Sequence, residues 1–168
     1  MFKKQKPVYY AVYSAIIIAG IILDQLTKLL SSKFLSKIDT LPLIDGVLHL
    51  TYVENRGAAF GMLANHRWVF ITVSTVTILA LTVFLFSGKS EKRLYNIPIA
   101  LIISGGVGNM IDRIFLGYVV DFIDFRLINF AVFNGADSFV CVGAALLILA
   151  LVLDIIEDGK KKKTGEEK

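Results

Sequence analysis

Four apolar runs, at about residues 8–30, 68–87, 94–114 and 138–156, each approach the length that carries a helix across a bilayer, roughly 20 residues. Inside hydrocarbon a backbone must satisfy its own polar groups, so such runs are helices. With 168 residues, 55% of them hydrophobic, little chain remains for a soluble domain. The expectation is one membrane-embedded domain over 1–168, an all-α integral membrane protein of four transmembrane helices. The first run is too long for a signal peptide, and the DQLTK that ends it does not resemble a cleavage site, so it reads as a retained helix.

The net charge of +4 does not call for nucleic acid, because the lysines gather beside apolar runs: MFKKQK, GKSEKR and EDGKKKKTGEEK. That is the positive-inside pattern, and it places both termini and the loop after the second helix in the cytoplasm. Residues 31–67 then lie outside as a small β-containing extracytoplasmic cap on the membrane surface. Pro42 and several glycines interrupt it, and Val47 to Val53 alternate as a half-buried strand does. Trp68 marks the headgroup level at the start of the second helix. Residues 157–168 read as a charged, mobile tail. Cys141, the one cysteine, excludes an internal disulfide and a thiolate metal site; within an apolar run it reads as a small buried hydrophobe.

The ionisable residues are more informative. At 1.5 Å per residue, Asp24 lies about 24 Å along its helix from Val8, and Asp112 about 27 Å from Leu94, so both reach the outer side. Asp121, in the loop after the third helix, and Asp137, at the opening of the fourth, arrive at the same level. Carboxylates so close to hydrocarbon are costly and mark function by default. Asp24 and Lys28 share a helix face and form a bracing ion pair. Asn55, Arg56 and Gly57, on the outer side, either let the backbone approach a ligand or another chain closely or form a turn into the second helix. Asn109, Asp112 and Arg113 end the third helix, either as an Asp112–Arg113 pair or as substrate contacts. Asp121 and Asp137 are the sharpest candidates, because two carboxylates in a dry site share a proton. One then takes a proton from water while the other donates to a scissile carbonyl, with neither metal nor covalent intermediate. Asn134, one turn before Asp137, is placed to orient that residue or the substrate backbone. The structural alternative is a helix cap at Asp137 and a solvated Asp121.

Five blocks in order, DQLTK at Asp24–Lys28, NRGAAFG at Asn55–Gly61, GNMIDR ending at Arg113, VVDFIDF at Val119–Phe125 and FNGAD at Phe133–Asp137, closely resemble the lipoprotein signal peptidases, the aspartyl-type signal peptidase II of bacteria. The resemblance spans nearly all four helices. It implies an Asp121/Asp137 catalytic dyad, with Asn55, Asn109, Arg113 and Asn134 near the substrate and Asp24, Lys28 and Asp112 in support; Arg56 and Gly57, beside Asn55, join them as substrate-binding or supporting residues. It implies an aspartic endopeptidase of the bacterial cytoplasmic (inner) membrane, active toward the extracytoplasmic face, without cofactor or metal. Its partners would be membrane lipids and prolipoproteins carrying a diacylglyceryl cysteine, cut on the amino-terminal side of that cysteine by a monomer. Asp124, three residues after Asp121, is a rival that does not match the family position. Ser104 stands where the family more often has glycine. The competing class is an ion- or proton-translocating small helical bundle; carboxylates gathered on one side, without partners stepping through the bilayer, argue against it.

Overall fold

The computed structural model describes residues 6–57, 66–88 and 93–164. Four long apolar helices carry a small sheet at one end: α1 (Pro7–Phe34), β1 (Thr40–Ile44), β2 (Leu48–Asn55), α2 (Arg67–Phe86), α3 (Arg93–Phe115), β3 (Val119–Phe125) and α4 (Gly135–Thr164). Single 3-10 turns follow α1 and β3. Ala58 to Gly61 of the NRGAAFG block, the rest of the cap's end to Asn65, residues 89–92 of the basic loop, the leading residues 1–5 and the final 165–168 lie outside the described residues.

α1 opens on Pro7, whose missing N–H costs nothing at a first helical position. α3 is the central helix, packed against each of the other three. Its approach to α4 depends on Gly105, where a Cβ would run into the Ala136 carbonyl. Ser104 is fully buried, its hydroxyl filling the place a side chain on residue 20 would take, so the serine is accommodated by Gly20. At the end remote from the sheet, Tyr13, Leu85, Ile99, Ala100 and Ile103 form the buried core. Many other apolar side chains face outward, Val73, Val76 and Leu79 on α2 among them, as suits a bilayer, while Val119, Val120 and Phe122 of β3 are buried.

The sheet is antiparallel in the order β1-β2-β3. β1 and β2 form a hairpin whose turn needs Gly46 at φ +69°. The register of β2 on β3 shifts between Leu50 and Val53: Leu50 faces Ile123, yet Val53 faces Asp121 and Asn55 faces Val119. One extra residue in β2 thus switches which face its later side chains occupy. Without this bulge Asn55 would point away from Asp121.

Four sequence-based expectations are corrected here. Asp121 lies not in a loop but in β3, a third strand outside the 31–67 cap. α4 begins at Gly135 instead of 138 and stays helical through Thr164, so most of the expected tail from 157 is helix. α1 likewise runs on to Phe34, four residues past its expected end. Cys141 is exposed on α4 instead of buried.

Candidate active site

The polar residues meet at the sheet end of the bundle, around Lys28. Its ammonium group, 3% exposed, lies 2.9 Å from Asp24 and 3.0 Å from Asp112, and donates to Asn109 Oδ1 at 2.8 Å. All three of its protons are used. Asp24 also accepts from the Ala136 backbone N–H at 2.8 Å, so a carboxylate of α1 caps an open amide in the first turn of α4. Asp112 accepts from the Val120 N–H at 3.1 Å and so pins the start of β3. Gln25 donates to Asp24, to Asp112 and to the Gly108 carbonyl at 3.2, 3.0 and 3.2 Å, joining α1 to α3. The expected Asp24–Lys28 pair forms; the Asp112–Arg113 pair does not, because successive side chains on a helix diverge and Lys28 takes Asp112 instead.

Gly108 has a specific reason to be glycine: a Cβ there would collide with Asp24 Oδ2. Gly108→Ala is expected to lower stability by about 1–3 kcal/mol, the range for overpacking a fitted site. Thermal unfolding in detergent checks this; an unchanged midpoint would mean that the helices separate freely.

Asp121 is 2% exposed. Its Oδ2 accepts from Asn55 Nδ2 at 2.8 Å and its Oδ1 from Asn134 Nδ2 at 2.6 Å. Burial pushes this carboxyl up to about 6 from an ordinary 3.8; the Asn55 bond opposes the rise, the nearby Asp137 charge adds to it, and Asn134 and Lys28 oppose it. Asp137 sits in the first turn of α4. Its Oδ2 accepts from the Asn134 N–H at 3.2 Å while Asn134 Oδ1 accepts from the Asp137 N–H at 2.9 Å, a reciprocal capping box. The helix cap is therefore Asn134, not Asp137. Asp137 Oδ1 accepts from Asn109 Nδ2 at 2.7 Å.

Asn134 touches both carboxylates, and its amide also donates to Asn109 Oδ1 at 3.1 Å. With Lys28 on the same oxygen, the Asn109 amide has one workable orientation, which turns its NH2 group to Asp137. Asn55 is fixed in the same way, since its Oδ1 accepts from the Gly57 N–H at 2.9 Å. Each aspartate is thus held by oriented amides and, among the described residues, pairs with no cation directly, a setting in which one proton can be retained by the pair.

Arg113 stands beside the two carboxylates, near enough for each to act on its charge. It donates to the Gly57 carbonyl at 3.2 Å and packs over the Phe70 ring at 4.9 Å. Arg56 is not brought to the site: it turns outward to Glu54 at 3.1 Å and to the Tyr118 ring. Asp124 faces the other side of the sheet, with Thr51 at 2.8 Å and Arg126 at 3.0 Å. Burial alone would raise its carboxyl, but Arg126 and Thr51 hold it below the usual range, which leaves it an acceptor only. Among the described residues no three His, Cys, Asp or Glu side chains converge as a metal would require. Gln25 and the Ala136 N–H are contributors the sequence reading did not find; Gln25 carried a signal in its place between Asp24 and Lys28.

A family model described as signal peptidase (SPase) II matches residues 16–153. The chain belongs to this family. It is therefore an enzyme, an aspartic peptidase, and the family resemblance seen in the motifs is borne out. A lipoprotein signal peptidase of Caldanaerobacter subterraneus subsp. tengcongensis is 50% identical over 133 residues, covering 79% of this chain and 90% of that one. One from Brevibacillus brevis is 42% identical over 156 residues, covering 92% and 99%. A solved structure described as a bacterial membrane enzyme, at 2.3 Å resolution, superposes with a TM-score of 0.82 at 32% identity, covering 92% of this chain and 94% of that one. The architecture of four apolar helices with a three-stranded antiparallel sheet is that of a multi-pass membrane protein, and the family's activity is removal of signal peptides from prolipoproteins.

Proposed function

We propose that the chain is an endopeptidase cutting diacylglyceryl-modified prolipoproteins on the amino-terminal side of the modified cysteine, with Asp121 and Asp137 as its catalytic dyad. The observation that carries this reading is Asn134, one buried residue bonded to both carboxylates. A water between them loses a proton to the ionised carboxylate as its oxygen attacks the scissile carbonyl carbon. The protonated partner gives its proton to the carbonyl oxygen, forming a neutral gem-diol. On collapse the C–N bond breaks, the departing cysteine nitrogen takes the proton that came from water, one gem-diol hydroxyl returns its proton to the other carboxylate, and the starting protonation is restored.

Asn55, Asn109, Asn134 and Arg113 border the peptide. Gly57 holds Asn55 in place, and Asp24, Lys28 and Asp112 keep α1, α3, α4 and β3 in register. Both termini face the cytoplasm, and the sheet lies at the extracytoplasmic surface of the bacterial inner membrane. The distribution of lysines supports that orientation, as do exposed Leu41, Leu43, Ile44, Leu127 and Ile128 around the sheet, which would rest among headgroups. The acyl chains of a lipidated precursor would then lie in the bilayer, bringing the peptide bond to the dyad. The protein works as a monomer, without metal or cofactor.

A test is a pair of precursor peptides, one with a diacylglyceryl cysteine and one without, given to the purified protein in mixed micelles. Mass spectrometry should find a product beginning at the modified cysteine, and no cut in its unmodified twin. Equal cleavage of both, or of neither, would overturn the reading.

The Asp121 carboxyl also sets a pH dependence. Its folded value of about 6 exceeds the ordinary 3.8, so the folded state binds this proton more tightly than the unfolded chain. Its stabilising contribution is full below about 4 and is lost as pH rises through about 6. Wild type should therefore lose unfolding temperature relative to Asp121→Asn between those values, and turnover, which needs one protonated carboxyl in the dyad, should fall as pH rises through about 6. A difference between the two proteins that is flat with pH would contradict this.

A further inference from the structure

Asp121 and its neighbour Val120 turn to opposite faces of β3, and on the face away from the dyad Val120 closes a cavity. With Tyr52 and Tyr118 it roofs a cleft of about 430 Å3 between the outer ends of α1 and α3, a volume within the range of small-molecule sites. The lining is mainly apolar. Leu29, Leu116 and Phe115 form its mouth and are 64%, 50% and 79% exposed, so the cleft opens sideways onto the surface that faces hydrocarbon.

Its charge decides what can enter. Among the described residues Lys28 is the one cation in the lining, and Asp24, Asp112 and Asn109 already take its three protons. A phosphate would find no free cation and would meet the Asp112 carboxylate. The polar groups at the roof are phenols beside the Glu54–Arg56 ion pair, in which each charge already has its partner; the Tyr118 hydroxyl is pushed up to about 12, chiefly by its hydrogen bond with Tyr52, and so stays protonated. A greasy slot at bilayer level with uncharged hydroxyls matches an acyl chain joined to an ester carbonyl. We infer that this cleft holds one acyl chain of a resident membrane glycerolipid, ester toward the tyrosines and headgroup outside. The chain would lie against Lys28 and Asp112, stiffening the brace that reaches Asp137 through Asn109. The inference depends on α1 and α3 crossing the membrane, not on the peptidase chemistry.

Native mass spectrometry of the protein released from nanodiscs tests it, with phosphatidylglycerol and phosphatidylethanolamine of identical acyl chains as probes. Wild type should carry one lipid through detergent washes, with the two headgroups bound within about threefold of each other. Leu29→Trp, which fills the mouth from an exposed position, should lower retention by about tenfold or more, whereas Leu79→Trp, exposed on α2, should not. Absence of lipid on wild type overturns the inference regardless of how any variant folds. So does equal retention by Leu29→Trp, or retention of phosphatidylglycerol alone. Displacement by an equimolar lipidated precursor would make the cleft part of the substrate path and would overturn a resident lipid.

Discussion

Cleavage of a lipid-modified precursor is expected to fall by about a thousandfold or more in Asp121→Asn and in Asp137→Asn alike, the scale on which removing a positioned acid–base group acts. Asparagine keeps the shape but cannot hold the exchanged proton. It also meets a donor conflict, because both oxygens of each aspartate accept: Asp121 from Asn55 and Asn134, Asp137 from Asn109 and the Asn134 N–H. One amide NH2 must therefore face another donor, which costs some stability and makes an unfolding control necessary. Two groups acting on one water lose their effect together, so the double variant should be no slower than the poorer single one. Single-turnover assays of the three proteins check this. Turnover above about a tenth of wild type in either single variant would remove that residue from the chemistry.

The spans were legible because length and apolarity alone specify a membrane helix, and Asp24 and Asp112 were placed at one level by counting rise along α1 and α3. β3 was not legible. Val119, Val120, Phe122, Ile123 and Phe125 are apolar on both faces, so the period of two that reveals a half-buried strand is missing. The β2 bulge left only a faint mark: the alternation from Leu48 to Tyr52 breaks where Tyr52 and Val53 stand side by side, and the extra residue is assigned only when β2 is set against β3. The start of α4 was misplaced because the apolar run begins after Ser138, although Asn134 followed three residues on by Asp137 has the spacing of a capping box. Its far end ran on because Lys160 and the lysines after it favour helix, and Gly159 alone does not stop one. In the site, the aspartates were found by residue type and spacing. Their amide partners, Asn55 on Asp121 and Asn109 on Asp137, depend on contacts across the chain, and so does the capture of Asp112 by Lys28.

Lys28→Met is expected to be the most destabilising single change, by about 3–5 kcal/mol, because it strips the cation from two buried carboxylates at once. Asp24 and Asp112 cannot turn to solvent, since each also accepts a backbone N–H, from Ala136 and Val120. Losing charge on both should restore much of the loss: in the triple variant Asp24→Asn, Lys28→Met, Asp112→Asn the carbonyl oxygens still accept those N–H groups while no unpaired charge remains. Thermal unfolding in detergent should therefore rank wild type and the triple variant close together, with the single variant well below. Turnover should follow a different order. Both lysine variants take one donor from Asn109 Oδ1 and loosen the amide that holds Asp137, so kcat should fall in each, the recovered triple variant included. KM should change little, because Lys28 is buried beneath the dyad, touching it through Asn109 and otherwise acting on it by charge alone. A triple variant with full kcat would reduce the cluster to a structural clamp, whereas Lys28→Met as stable as wild type would show that Asp24 and Asp112 are not both ionised around it.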